Sequence, residues 1–185
     1  GDHWLSWLHL GVMRYSAGEA EAARQAWERS LALTRSAWAL RCLAARELSR
    51  AEIERKLAPH TDDPGELARV LDELQAKGFI SEERVVESVL HRRAARQGAS
   101  RIRQELLAKG IDPALTQQAV ADLQASECAR AQAVWQKKFG EAATDAPGRA
   151  RQARFLASRG FRMDVIVRVI RGDLELEGGG FEPDD

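Results

Sequence analysis

Apolar residues recur along the chain at the three-to-four-residue spacing of a helix, as in Leu67, Val70, Leu71 and Leu74 and again in Val85, Val89 and Leu90. Helix starts are punctuated. Ser49-Arg50-Ala51-Glu52 reads as a capping box, and Asp63-Pro64-Gly65-Glu66 as a second, with proline at the first helical position, where its missing N–H costs nothing. Asp112-Pro113 repeats the device, while Ser81 and Ser126 open further first turns led by acids. Gly78, Gly110 and Gly160 each follow a Lys or Arg and read as the left-handed residues that stop helices. These signals predict nine helices after residue 36, at about 37–47, 49–59, 64–77, 82–96, 99–109, 113–125, 127–139, 147–159 and 163–171. The segment 140–148 stands out as an internal loop.

The helices group in threes. Third helices begin near Pro64, Pro113 and Met163, and second helices carry Leu57, Leu106 and Leu156, each set about 50 residues apart. Units repeating at that period bury one another's faces, so the expected fold is all-α: a tandem array of three three-helix repeats, elongated, curved and monomeric, preceded by a helical hairpin.

Composition agrees with helices, since Ala, Leu, Arg and Glu dominate and strand formers are sparse. Charge changes the picture. The formal total is zero, from 28 basic and 28 acidic residues, but residues 84–171 hold 17 bases against 8 acids, a difference of +9. Residues 173–185 hold six acids and no base. A basic body with an acidic tail implies an anionic partner. Cys42 and Cys128 lie in apolar helical stripes without a nearby second cysteine and read as reduced core thiols. No apolar run approaches the length of a membrane span and no signal pattern opens the chain, so the cytoplasm is the expected location.

Several motifs, in order, carry a resemblance to a known family. They are Ala39-Leu40-Arg41-Cys42-Leu43 with Ser49-Arg50-Ala51-Glu52-Ile53-Glu54-Arg55-Lys56-Leu57, then Leu71-Asp72-Glu73-Leu74-Gln75-Ala76-Lys77-Gly78-Phe79. They continue as Gly98-Ala99-Ser100-Arg101-Ile102-Arg103-Gln104-Glu105-Leu106, then Ala133-Val134-Trp135-Gln136-Lys137-Lys138-Phe139-Gly140, and finally Arg151-Gln152-Ala153-Arg154-Phe155-Leu156-Ala157-Ser158-Arg159-Gly160-Phe161. Each alone is a weak helical pattern; in this order they resemble RecX over residues 37–173. The resemblance implies a non-enzymatic modulator that lodges in the groove of the RecA–DNA filament, limits its growth and damps strand exchange and ATP hydrolysis. It divides the chain into repeats at 37–80, 81–125 and 126–173, with 174–185 as an acidic disordered tail. Residues 1–36 lie outside that family's pattern. Trp7, Leu10, Gly11, Gly18, Ala23, Trp27 and Ser30-Leu31 resemble one tetratricopeptide repeat, although Arg14 stands where Tyr is usual and Arg35 where Pro is usual. A single such hairpin cannot bury its apolar face, so it is expected to dock on the first repeat, with Trp38 filling the junction.

The basic stretches are the functional candidates. Arg92, Arg93 and Arg96, followed by Arg101 and Arg103, surround one predicted helix–turn–helix corner; Lys137, Lys138, Arg149, Arg151, Arg154, Arg159 and Arg162 follow in the third repeat. Few acids lie at i±4 to pair them, and arginine suits bidentate contact with carboxylate or phosphate. The target is either an acidic face of a protein filament or the DNA within it. Trp135, Phe139, Phe155 and Phe161 fall at core spacing rather than forming a stacking platform. Phosphate-binding glycine loops and the HExxH metal motif are missing, and His3, His9, His60 and His91 are scattered. The adjacent acids Asp62-Asp63 and Glu82-Glu83 sit at helix starts, where the macrodipole accounts for them. The expectation is therefore a protein with no catalytic residues, cofactor or metal. A general nucleic-acid-binding helical repeat and a docking adaptor acting through the N-terminal hairpin are the alternatives.

Overall fold

Local signals in the sequence become helices almost one for one. The computed structural model describes residues 3–61 and 63–172, and among them there are ten α-helices and no strand. They are α1 (His3–Ser16), α2 (Ala20–Ala45), α3 (Arg50–Leu57), α4 (Pro64–Ala76), α5 (Glu82–Arg93), α6 (Ala99–Ala108), α7 (Pro113–Gln124), α8 (Glu127–Lys138), α9 (Ala146–Ala157) and α10 (Met163–Arg171), with a 3-10 turn at Ala58–His60. The acidic segment expected to be disordered lies outside the described residues, as does Asp62.

Capping follows the pattern with two corrections. Ser49 forms the full box with Glu52. Asp63 accepts from the amides of Gly65 and Glu66, but the reciprocal half is missing. The Glu66 carboxylate has been drawn to Arg35, and the Asp63 amide donates to Thr61 Oγ1 instead. Ser81 Oγ accepts from the Arg84 amide, whereas Ser126 caps nothing and takes the Arg130 guanidinium on its hydroxyl. Glu83, at the start of α5, has its carboxyl held below the ordinary glutamate value by a backbone amide and by the Ser81 hydroxyl. That structural role accounts for one of the paired acids. Gly78, Gly110 and Gly160 all take the expected left-handed conformation.

The chain divides into two compact units, residues 1–85 and 86–185. In the first, α1 turns at Gly18 and packs on α2. The sequence predicts a new helix at residue 37; instead α2 runs unbroken from Ala20 to Ala45. Arg35, standing where a proline would have ended the helix, is buried and forms an ion pair with Glu66 of α4. Below it, Ala39, Leu48, Ile53, Leu57, Leu67, Leu71, Leu74 and Ile80 form a core, each large aliphatic stabilising by about 1.5–3 kcal/mol. Cys42 packs against this core as a free, half-buried thiol. Trp38 also packs there and meets the His60 ring edge-on at 4.5 Å, a place inside the three-helix group rather than at the hairpin junction expected for it. Leu5, Leu8, Val12 and Met13 remain exposed on α1, so the hairpin leaves part of its apolar surface uncovered.

In the second unit, Ala131, Trp135, Leu156, Phe161, Val165, Ile166 and Val169 form one core cluster, with free Cys128 against its edge, while Val89, Ile102 and Leu106 are buried as well. The helix expected to reach residue 96 stops at Arg93, and the chain turns to Gly98. The loop after α8 is shorter than expected, because Pro147 at the first turn lets α9 begin at Ala146. Buried Gln152 holds that loop, its amide donating to the Glu141 carbonyl at 2.8 Å.

Candidate functional site

The amino end of α6 starts at Gly98, which has no side chain to cap it, so its amides are satisfied from elsewhere in the second unit. Gly98 N–H donates to the Arg159 carbonyl at 2.9 Å and Ser100 N–H to the Gly160 carbonyl at 3.3 Å. Ala99 N–H donates to Oε1 of Glu127, an almost fully buried carboxylate on α8, at 2.9 Å. The approach is backbone on backbone: a Cβ at Gly98 would lie 2.2 Å from the Gly160 carbonyl oxygen. Gly160, at φ +81°, is pressed in turn against Arg101, where a Cβ would come within 2.5 Å of the Arg101 Cβ.

Arg130 completes the junction. Its guanidinium donates to the carbonyls of Ala94 (2.7 Å), Gln97 (2.6 Å) and Leu123 (2.9 Å), tying the turn after α5 to the start of α8. Burial pushes its pKa below the ordinary arginine value, with Glu127 opposing the shift. An arginine starts so far above neutrality that it stays charged and keeps all its donors.

Held this way, the end of α5, the last turn of α8 and the end of α9 enclose a cleft of about 520 Å³. Its walls are Arg92, Arg93, Arg96, Lys137, Lys138 and Arg159; Val134 and Phe155 supply apolar surface, and Gln97 completes the lining without any acid. Among the described residues, only Arg93 of the six cations has a carboxylate partner, Glu105 at 3.5 Å. Arg159 lies over the Phe155 ring, 3.7 Å from its centroid, and Phe155 meets Phe139 edge-on at 5.0 Å. Helix geometry explains how such crowding is tolerated. Three helix carboxyl ends meet here, each carrying roughly half a negative charge, which offsets part of the cationic excess but leaves the cleft strongly positive.

The structure thus brings together six of the twelve candidate cations; Arg149 instead donates to the carbonyls of Ala143 (3.4 Å) and Thr144 (2.6 Å). Arg101 and Arg103 sit exposed on α6 and do not line the cleft, so the five-arginine corner becomes three arginines joined by cations from α8 and α9. Arg151 lies 6.0 Å from the Phe139 ring, and Arg154 is exposed on α9. Arg162 pairs with Asp164 at 3.0 Å and spends its charge within the fold. Sequence reasoning missed Gln97 and Val134 as lining residues and Arg130 and Glu127 as organisers; Phe155 packs against the core as expected and lines the cleft as well. A glutamate at the start of an apolar-faced helix, one residue before Cys128, was the available hint of a buried cap.

Known proteins resemble this chain over most of its length. The description of the third three-helix domain of RecX matches residues 125–170, and that of the second three-helix domain matches residues 81–120. A "Regulatory protein RecX" from Leptothrix cholodnii is 55% identical over 133 residues, covering 72% of this chain and 85% of that protein. The chain belongs to the RecX family. A RecX from Ralstonia nicotianae is 44% identical over 151 residues, covering 82% of this chain and 95% of the relative. The crystal structure of RecX from Lactobacillus salivarius superposes with a TM-score of 0.63 over 76% of this chain and 95% of that one, at 19% identity, so the fold persists where sequence has diverged. The chain is thus an all-helical member of a regulatory protein family built on RecX three-helix domains. No helix among the described residues is long and apolar enough to cross a membrane.

Proposed function

We propose that this RecX-family chain binds the RecA recombinase filament, restrains its growth and lowers its ATPase and strand-exchange activity, and that the cleft of the second unit is a principal contact. The observation that supports this is the gathering of Arg92, Arg93, Arg96, Lys137, Lys138 and Arg159 around one cleft whose lining contains no acid. Cations spread over a solvated face contribute only tenths of a kcal/mol to folding, so folding alone gives little reason to concentrate them. An anionic partner does, through desolvated charge pairs whose loss costs about 2–5 kcal/mol of binding. The partner surface is acidic filament protein, the DNA phosphates inside the filament, or both, and steep salt dependence accompanies either. In this reading three three-helix repeats, at 37–80, 81–125 and 126–173, follow the N-terminal hairpin, and the protein modulates the filament without catalysing a reaction.

The test is RecA-driven strand exchange at fixed DNA, with wild-type protein added below stoichiometric amounts. Slowed filament extension is the expected result. Unchanged ATPase and strand-exchange rates at equimolar protein contradict the proposal.

A further inference from the structure

We infer that the acidic segment 173–185 of the same chain occupies the basic cleft of the second unit, so that an anionic partner must displace it. The segment reads Asp-Leu-Glu-Leu-Glu-Gly-Gly-Gly-Phe-Glu-Pro-Asp-Asp, with six acids and no base. The cleft presents six cations, no acid, and an apolar surface from Val134 and Phe155. The match extends beyond net charge: Phe181 is an apolar residue followed by Glu182, Asp184 and Asp185, which suits a cleft lined by cations together with Val134 and Phe155. Gly178, Gly179 and Gly180 precede the anchor in the sequence.

Reach permits the contact. The segment leaves α10 at Gly172, and α10 packs on α8 and α9, the helices that carry Val134, Lys137, Lys138, Phe155 and Arg159. Nine residues from Gly172 to Phe181 span up to about 30 Å when extended and about 16 Å as a coil. That span exceeds the length of α10, whose nine residues cover about 14 Å and which starts four residues after the cleft residue Arg159. A tether that short holds the anchor at a millimolar effective concentration, enough for weak charge pairs to keep the cleft occupied at low salt.

The test replaces Phe181 with the photo-reactive p-benzoylphenylalanine in the full chain and irradiates dilute protein without RecA or DNA. The expected crosslinks are intramolecular, fall at 92–97, 134–138 or 155–159, and are lost on Lys137→Glu plus Lys138→Glu or in about 0.5 M salt. Crosslinks to other surfaces, crosslinks only between two chains, or a yield unaffected by the charge reversal would overturn the inference. In a second arm, all six acids become Asn or Gln, and affinity for a short oligothymidine strand at low salt is expected to rise about tenfold. An unchanged affinity removes the competitive role. The crosslink is read on the free chain, so its failure is distinguishable from a failure to inhibit RecA.

Discussion

Each unit contains a cavity lined by charge, and the two are built on opposite plans. The first unit's cavity, about 880 Å³, sets Arg14, Arg24, Arg29 and Arg69 among Glu28, Asp63, Glu66 and Glu73. Its charges are largely consumed by the fold: Arg24 bonds Glu21 and Glu28, each at 2.6 Å, Arg29 lies 5.4 Å from the Trp7 ring, and Glu66 serves Arg35. In the second unit the lining cations face one another, and the acid that organises them, Glu127, is turned inward as a helix cap. Two regions with abundant arginine thus differ in whether the charge is left over, and only leftover charge is available to a partner.

The largest expected effect breaks the first unit. Arg35 and Glu66 form a buried pair, and Arg35 Nε and Glu66 Oε1 have no hydrogen-bond partner among the described residues. Removing one member, as in Arg35→Ala, leaves an uncompensated buried charge and is expected to cost about 3–5 kcal/mol in urea unfolding. The double replacement Arg35→Met with Glu66→Leu is expected to recover that loss. A single substitution that leaves the urea midpoint unchanged would show that the pair is not buried in solution.

Next comes the backbone junction of the second unit. Gly98→Ala forces a Cβ into the Gly160 carbonyl and is expected to destabilise by about 2–3 kcal/mol. Gly65→Ala in the first unit meets only the Asp63 carboxylate, at 3.2 Å, and should stay within about 0.5 kcal/mol of the parent. Equal effects at the two glycines would remove the distinction between a locally capped helix and one capped by its neighbours. Smaller again is Ser49→Ala, which deletes half of a local capping box and should lower stability by about 1 kcal/mol in the same unfolding measurement.

These pairs also show what the sequence made legible. Local signals were readable because their partners lie within four residues: Ser49 with Glu52, Asp112 with the amides of Ala114 and Leu115, and the glycine after a basic residue. Contacts made across long sequence separations were not. Arg35 with Glu66 is such a contact, and it turned an expected helix break into a continuous α2. Glu127 reaching back to Ala99 and Arg130 clamping Ala94 and Gln97 are others. The same limit applied to the site. Arg92, Arg93 and Arg96 were visible as a run, yet their real neighbours are Lys137, Lys138 and Arg159, whereas Arg101 and Arg103, close in sequence, do not line the cleft. Chain proximity predicted a corner; the packing of the Arg159–Gly160 carbonyls onto α6 determined which cations meet.

The smallest expected effect on folding carries the greatest consequence for function. Reversing Arg92, Arg93 and Arg96 to Glu changes exposed side chains and should leave helicity and melting nearly unchanged, within a few tenths of a kcal/mol per residue. The matched control reverses Arg24, Arg29 and Arg69 in the cavity of the first unit, where acids already balance them. RecA-catalysed strand exchange, titrated with wild-type protein and with each triple variant, therefore tests the account most directly. It predicts that the variant of the second unit no longer inhibits while the control inhibits like the parent. Retained inhibition by the second-unit variant, or equal loss in both, contradicts it.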